Sequence, residues 1–418
     1  MRIFLFCLIL MGIGGPASAF CGLYVARADG ELFNEASRVV FVRDGRRSVI
    51  TMASDYRGPA AEFAMIVPSP KVLQRNQIRT VKAETVAHLD AYSAPRLVEY
   101  EDRDPCQPEI LEEPFVVQAA PGPVVRRGPR ALGVTVEAEY AVGVYDIAIL
   151  SARDSDGLVT YLRQEGYRIP RGAELVLADY IADGMKFFVA RVNLKRHDRA
   201  AARELPPLQI SFRSPKFMLP LQLGKINGDT EQQVLLLTLT RKGRVEAANY
   251  RNARIPSNIE IPVFVEDVFG QFYRRIFAGA ARPDTVVTEY AWDMAWCDPC
   301  AADPLSSREL RDLGATWARG SNATVQDVFV TRMHFRYNKS QFQRDLLLRV
   351  TEDRSNFQGR YVLRHPYGQR LTCKATEYVN DTRRRLRAEG VALRKLTGWS
   401  QREIDKRIRQ SVPALYRY

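Results

Sequence analysis

The stretch Tyr145–Leu194 reads YDIAILSARDSDGLVTYLRQEGYRIPRGAELVLADYIADGMKFFVARVNL, and it decides the fold class. Apolar runs predict strands at its two ends, and capping signals followed by glycine predict two helices between them. The predicted elements are strands at Tyr145–Leu150 and Lys186–Leu194 and helices at 155–164 and Ala173–Ala182. This order is a β-α-α-β unit, which favours an α+β protein over a pure β-sandwich.

The chain around this unit is rich in strand signals. Val39–Met52 predicts a hairpin, because two β-branched runs flank Asp44-Gly45, a favoured tight-turn pair. A second hairpin is predicted at Leu235–Tyr250, turning on Lys242-Gly243. Near the end of the chain, Ser400 and Glu403 have the spacing of a capping box and predict a helix from Gln401 to about Gln410. We therefore predict an α+β fold: a mostly antiparallel β body with a β-α-α-β unit and a helical C-terminal segment.

Proline-rich and polar connectors suggest a division into regions. The segment 107–130 holds five prolines and little periodicity, as is typical of a loop or boundary. The predicted regions are 1–19 (signal peptide), 20–130 (β-rich), 131–280 (central α+β), 281–375 (β-rich) and 376–418 (basic helical tail).

The first nineteen residues carry the pattern of a secretory signal peptide. Arg2 is followed by an apolar stretch and by Ala17-Ser18-Ala19, a small-residue cleavage site. The apolar stretch is too short for a membrane span, and the rest of the sequence predicts no transmembrane segment in the mature chain. We therefore expect a periplasmic or secreted protein in an oxidising compartment where disulfides persist.

The chain has 418 residues, 46% of them hydrophobic, and a net charge of +13. These values exclude a disordered tail protein, a collagen-like chain and a polytopic membrane protein. Residues 383–410 hold ten Lys and Arg against three acids, so most of the excess charge lies near the C-terminus. The basic tail is predicted to contact an anionic envelope surface, either phospholipid or cell-wall polymer. Nucleic-acid binding is not expected, because the chain carries an export signal and no recognised nucleic-acid-binding module.

Long blocks of the chain resemble one uncharacterised family of bacterial proteins, the domain of unknown function 2330. The blocks include AEFAMIVPSP, LDAYSAPRLVEY, SPKFMLPLQLG, LTRKGRVEAANYR and YAWDMAWCDPCAADPLS. The resemblance implies an exported bacterial protein and covers nearly all of the predicted mature chain. It implies no reaction and no catalytic residues.

The block Glu289–Cys300 concentrates the side chains that most resemble a site. Glu289 and Asp293 could act as paired acids, with Trp292 and Trp296 as a stacking floor for a sugar or peptide ring. Regular strand alternation would put the two acids on one face and the two tryptophans on the other. Cys297 and Cys300 form a CxxC pair, which is interpreted as a local structural disulfide, a redox pair or half of a zinc site. The remaining mature cysteines, Cys21, Cys106 and Cys373, allow one further bridge without indicating its partners.

A second group of candidates lies on the predicted strand at Val328–Arg336. Period-two alternation puts Arg332, His334 and Arg336 on one face, where they could hold an anionic ligand or simply be solvated. His365, in an aromatic stretch, is a further binding candidate or a hydrogen-bonded turn residue. No metal site and no cofactor are predicted, and hydrolase and phosphate-loop signatures are missing from the sequence.

The function predicted from sequence is an exported envelope protein with a non-catalytic structural or binding role. Two alternatives stay open at this point. One is a periplasmic hydrolase-type enzyme that uses Glu289 and Asp293, and the other is a thiol-disulfide protein that uses Cys297 and Cys300.

Overall fold

The computed structural model describes residues 23–26, 33–57, 63–107, 136–167, 169–193, 205–227, 231–296, 302–319, 327–369 and 371–416. The described strands are β1 Leu23–Ala26, β2 Phe33–Asp44, β3 Arg47–Arg57, β4 Phe63–Ser69, β5 Ile78–Thr80, β6 Arg96–Glu101, β7 Val136–Val142, β8 Tyr145–Leu150, β9 Lys186–Val192, β10 Leu208–Arg213, β11 Met218–Leu219, β12 Gln232–Thr240, β13 Val245–Ala247, β14 Arg251–Arg254, β15 Ile259–Glu260, β16 Thr285–Asp293, β17 Phe329–Tyr337, β18 Leu346–Val350, β19 Phe357–Gln358 and β20 Arg360–His365. The described α-helices are α1 Ala83–Ser93, α2 Ser155–Gln164, α3 Ala173–Ala182, α4 Phe269–Ala280, α5 Ser307–Asp312, α6 Thr376–Thr397 and α7 Gln401–Ser411.

Most of the strands form two large sheets, and the others form two three-stranded sheets, β11-β18-β13 and the parallel β15-β20-β6. The central sheet has the order β14-β16-β17-β12-β2-β3-β10-β5, and β19 pairs with β16 beyond the end of β14. A five-stranded sheet has the order β1-β4-β9-β8-β7 and is antiparallel throughout. The predicted α+β class is confirmed, and the sheets are mostly antiparallel, with parallel pairing in the central sheet at β2–β12 and β14–β16.

The two sheets pack face to face, and helices cover their outer faces. Between the sheets, Phe41 and Ile50 of the central sheet meet Ile147 and Phe188 of the five-stranded sheet in one buried cluster. On the far side of the central sheet, a second cluster includes α1 and α5. On the far side of the five-stranded sheet, a third cluster is formed with α2 and α3. The result is four layers, helix–sheet–sheet–helix, so both faces of each large sheet are occupied.

The β-α-α-β unit is present as predicted. It consists of β8, α2, α3 and β9, and its two strands pair directly and antiparallel. Helix α2 is capped by Asp154, whose carboxylate accepts a hydrogen bond from the Gly157 N–H at 2.6 Å. Asp, like Ser, is a strong N-cap residue, so the local signal placed this helix correctly.

One predicted hairpin is present and the other is wrong. β2 and β3 pair around Asp44 and Gly45 as expected. At Leu235–Tyr250 two strands form, but they do not pair with each other: β12 pairs with β2 and β17, and β13 pairs with β18. The chain does leave one strand and enter another around Lys242-Gly243, as predicted. The pairing of the two strands, however, is with segments that are distant along the chain.

The C-terminal segment packs against the rest of the protein. Val379, Leu386 and Leu393 of α6 and Ile404 and Ile408 of α7 are buried in a fourth cluster, which also contains residues of α4 and β20. Helix α7 starts at Gln401 as predicted, although the Ser400 side chain makes no capping hydrogen bond. Gly390 lies where α7 crosses α6, and a Cβ there would meet the Ile408 Cδ1 atom at 3.1 Å. The predicted basic tail is thus a packed helical hairpin.

Candidate functional site: a buried ionic cluster and a basic helical surface

A β-bulge in β16 positions Glu289. The pairing between β16 and β17 shifts register between Thr288 and Tyr290, so Glu289 is an extra residue in its strand. A bulge turns two successive side chains toward one side of a sheet. Glu289 and Tyr290 accordingly both lie on the side that carries Arg332, under the layer of α1 and α4.

Glu289 is the centre of a buried ionic cluster. Its carboxylate is fully buried and accepts hydrogen bonds from the Arg332 Nε atom at 2.7 Å, from the His334 Nδ1 atom at 2.9 Å and from the Tyr273 hydroxyl. Arg332 also donates to the Asp90 backbone carbonyl at 3.0 Å and forms an ion pair with the Asp90 carboxylate. The cluster therefore ties together β16, β17, α1 and α4.

The imidazole of His334 is held from both sides. Its Nε2 atom lies 3.2 Å from the Gln233 Oε1 atom, and its ring stacks on Phe277 with centroids 3.8 Å apart. With Nδ1 directed at Glu289 and Nε2 at Gln233, both ring nitrogens have partners. This arrangement suits an imidazole that is positioned and not free to move toward a substrate.

The electrostatics keep Glu289 ionised. Burial alone would raise the pKa of its carboxyl, but the adjacent His334 and Arg332 and their hydrogen bonds lower it to about 2. Burial and the nearby Glu289 carboxylate raise the pKa of the Tyr273 hydroxyl well above its ordinary value. A carboxylate with so low a pKa is a poor proton donor at neutral pH, and its complete burial prevents contact with a substrate.

The acid pair proposed from sequence is not assembled. Because the bulge shifts the alternation, Asp293 lies on the opposite side of the sheet from Glu289, where it pairs with Arg354. Trp292 is buried in the helix-side cluster, and Trp296 is half exposed and contacts it edge to face at 4.9 Å. The tryptophans contact each other, but they do not form a floor beneath two convergent acids.

The row predicted on β17 is divided between the interior and the surface. Arg332 is buried and His334 is mostly buried against Glu289, so their anionic partner belongs to the protein and the solvated alternative does not hold for them. Arg336 pairs with Glu231 at 3.4 Å and lies over the Phe277 ring.

His365 and the cysteines lie away from this cluster. The His365 Nε2 atom is 2.9 Å from a Glu99 carboxylate oxygen in a partly exposed ion pair. A disulfide joins Cys106 and Cys373, one of the pairings that the sequence left open. Cys21, Cys297 and Cys300 lie outside the described residues, as does the predicted signal peptide.

The second candidate is the outer surface of the α6–α7 hairpin, here called the basic surface. The buried sides of both helices are mainly apolar, although Glu389 is among the buried residues, and many of their exposed positions carry cations spaced three, four and seven residues apart. The exposed acids of the two helices are Glu377, Asp381 and Glu403. The basic surface consists of Arg384, Arg387, Arg394, Lys395, Arg402, Lys406 and Arg409.

The base of the hairpin is held by charge. The Arg385 guanidinium makes two hydrogen bonds of 2.9 Å to the Asp102 carboxylate, close to the disulfide. Glu389 is buried beside Arg385, with 3.4 Å between its Oε1 atom and the Arg385 Nε atom. Burial raises the pKa of Glu389 to about 7, although Arg385 lowers it.

Sequence reasoning singled out Glu289, Arg332 and His334, but it placed them in different hypotheses. It missed Asp90, which comes from a helix far away along the chain, and Tyr273, which lies on α4, the helix that directly precedes β16. No pattern in the sequence signals these two partners, because the contacts depend on how α1 and α4 cross the central sheet.

Two further observations concern the part of the chain that the structure describes. Within it, no group of three or more His, Cys, Asp or Glu side chains is arranged to hold a metal ion. None of its helices is both long and apolar enough to cross a membrane.

Comparison with known proteins gives one match. A family model described as an uncharacterized protein conserved in bacteria, DUF2330, matches residues 15–349, which include the ionic cluster and every strand of the two large sheets except β19. No curated protein and no solved structure matches the chain. Helices α6 and α7 lie beyond the matched residues. Because the match covers most of the sequence, the chain belongs to the DUF2330 family of uncharacterized bacterial proteins.

Proposed function

We propose that the protein is an exported, non-catalytic envelope protein that binds an anionic surface through the basic surface of α6 and α7. Phospholipid and anionic cell-wall polymer offer the same chemistry to this surface, namely closely spaced negative groups. The export signal predicted at residues 1–19 would bring the protein to such a surface.

The division between the two sides of the hairpin carries the proposal. The apolar sides of α6 and α7 are buried in the fold, so the hairpin needs no membrane interior to bury them. Along α6, the exposed charged residues from Arg384 to Lys395 are all cations, and Arg384 also forms an ion pair with the exposed Asp381 one turn earlier. Each Lys or Arg near an anionic bilayer contributes about 1 kcal/mol of attraction at moderate ionic strength.

The ionic cluster argues against the hydrolase alternative. Glu289 is buried and already accepts three hydrogen bonds, and Asp293 lies on the other side of the sheet. A general acid and base must both reach the reacting bond from positions within hydrogen-bond distance. The cluster fits better with a role in holding β16, β17, α1 and α4 together.

The test is vesicle and cell-wall sedimentation with a matched control. The test variant is Arg384→Gln/Arg387→Gln/Arg394→Gln/Lys395→Gln. The control replaces four exposed cations elsewhere: Lys71→Gln/Arg213→Gln/Lys242→Gln/Arg308→Gln. Both variants lose the same net charge, so a difference between them reports on the basic surface alone.

We expect the test variant to lose about 4 kcal/mol of binding, or roughly a thousandfold in partitioning to phosphatidylglycerol-containing vesicles at low salt. Raising the salt from about 0.05 M to about 0.5 M should release the wild-type protein, since the screening length falls from roughly 14 Å to roughly 4 Å. A parallel experiment with purified cell-wall sacculi distinguishes lipid from polymer. Equal loss in both variants, or salt-insensitive binding, would refute the proposed surface.

A further inference from the structure

A cavity of about 380 Å³ opens on the outer face of the five-stranded sheet, beneath α2. One wall is formed by β7, β8 and β9, and the other by the last turn of α2 and the residues that follow. Two of the residues that line it, Ala141 and Ala148, have small side chains that leave this space open. Protein interiors are otherwise packed as densely as organic crystals, so a partly enclosed space of this size can admit a small ligand.

The side chains that line the cavity combine aromatic rings with mostly negative charge. Tyr161 and Tyr167 contribute the rings. The charged lining residues are Glu139, Asp146, Glu165 and Arg191, a sum of −2 among the described residues. Asp146 is partly neutralised, because Arg191 and Asn193 donate to its carboxylate at 3.4 and 3.0 Å.

The other two acids stand on different walls. Glu139 lies on β7, opposite Ala148 in the register, and Glu165 follows the end of α2. Both carboxylates lie close enough to Tyr161 to affect its hydroxyl. Burial raises the pKa of that hydroxyl, and the charges of Glu165 and Glu139 raise it further. The cavity is therefore a negative, ring-lined space with carboxylates on two sides.

We propose that this cavity binds a small organic cation, a molecule that carries a protonated amine or quaternary ammonium group on a compact apolar body. Carboxylates on two walls attract the positive charge, and tyrosine rings add cation–π attraction while covering the apolar part. The volume admits a small free molecule. This site shares no residue with the basic surface of α6 and α7. Its proposed ligand is a cation, whereas the partner proposed for the basic surface is anionic.

The probes are choline and 1,4-diaminobutane, with 3,3-dimethylbutan-1-ol as the uncharged analogue of choline. Binding to the purified protein is measured by isothermal titration calorimetry at low salt. We expect at least one cation to bind and the neutral alcohol to bind at least about tenfold more weakly, the scale of one partly solvated charge–charge contact. Binding of neither cation, or equal binding of choline and the alcohol, overturns the proposal.

Variants locate the site. Glu139→Gln and Glu165→Gln should each weaken cation binding by about tenfold. Asp179→Asn is the matched control, because Asp179 is an exposed acid on α3 that does not line the cavity. Ala148→Leu should weaken binding by taking up part of the space, with circular dichroism and the melting temperature used to confirm that the variant is folded. Cation binding that is not weakened in any of the three cavity variants would place the ligand elsewhere and refute the assignment.

Discussion

Replacing Glu289 by Gln should destabilise the protein strongly at neutral pH and weakly in acid. Gln keeps the shape of the side chain, so the substitution removes the charge without opening a cavity. Arg332 and His334 would then keep their buried positions while losing the carboxylate that each of them contacts.

The expected loss of stability can be obtained from the pKa of Glu289 and from the usual cost of breaking a buried ion pair, and the two values agree. The pKa of Glu289 falls from 4.5 to about 2 in the folded protein, and at about 1.4 kcal/mol per pKa unit this corresponds to about 3 kcal/mol of stability. Removing one partner of a buried ion pair ordinarily costs about 3 to 5 kcal/mol. Because the folded pKa is lower than the unfolded one, this stabilisation is complete above about pH 5 and disappears as the pH falls toward 2.

The measurement is urea unfolding of wild type and Glu289→Gln at several pH values between 7 and 3. The control is Asp293→Asn, an acid of the same strand in a partly exposed pair with Arg354, which should lose no more than about 1 kcal/mol. The double variant Glu289→Gln/Arg332→Met should lose less than the sum of its single changes, because it removes both charges. A loss below about 1 kcal/mol for Glu289→Gln, or a gap from wild type that does not narrow in acid, would refute the role assigned to the cluster.

Three further predictions concern the C-terminal hairpin. Glu389→Gln should stabilise the protein by up to about 3 kcal/mol above pH 7, because a pKa raised to about 7 in the folded state makes ionised Glu389 unfavourable there. The substitution should have little effect below about pH 4.5, where the carboxyl is protonated in the folded and the unfolded chain. Urea unfolding at pH 8 and pH 4.5 measures the difference. The double substitution Cys106→Ser/Cys373→Ser should lower stability by up to about 5 kcal/mol, since the bridge closes a very long loop, and thermal unfolding with and without reductant checks this, because the variant should not respond to reductant. Gly390→Val should force α7 away from α6 at Ile408 and lower the melting temperature by several degrees, whereas Val391→Ala on the exposed side of α6 should leave it nearly unchanged.

The parts of the fold that could be predicted from sequence are those set by neighbouring residues. The β-α-α-β unit was placed to within a residue or two because its caps, glycines and periodicity all lie inside the unit itself. The hairpin at Leu235–Tyr250 was predicted wrongly because β12 is a central strand, and its partners β2 and β17 lie far away along the chain.

The candidate site was only partly predictable for a related reason. A bulge can be recognised from sequence when a polar and apolar alternation changes phase, but in β16 every residue from Thr285 to Trp292 is buried. The strand therefore shows no alternation of polar and apolar residues that could reveal the bulge. An assumed regular alternation puts Glu289 and Asp293 on the same face of the strand. The Glu, Arg and His residues were nevertheless notable by composition alone, since these side chains demand partners when they are buried within apolar strands.

Because Glu289 is the extra residue of a bulge, it is inserted into β16 without taking the place of a paired residue. The residues on either side, Thr288 and Tyr290, pair with consecutive residues of β17, so the strand would run in regular register if Glu289 were deleted. Every apolar side chain of β16 would keep its side of the sheet. The architecture and the charge cluster are therefore separable in this chain: a variant that lacks Glu289 should keep all four layers, provided that Arg332 is also replaced by an uncharged residue.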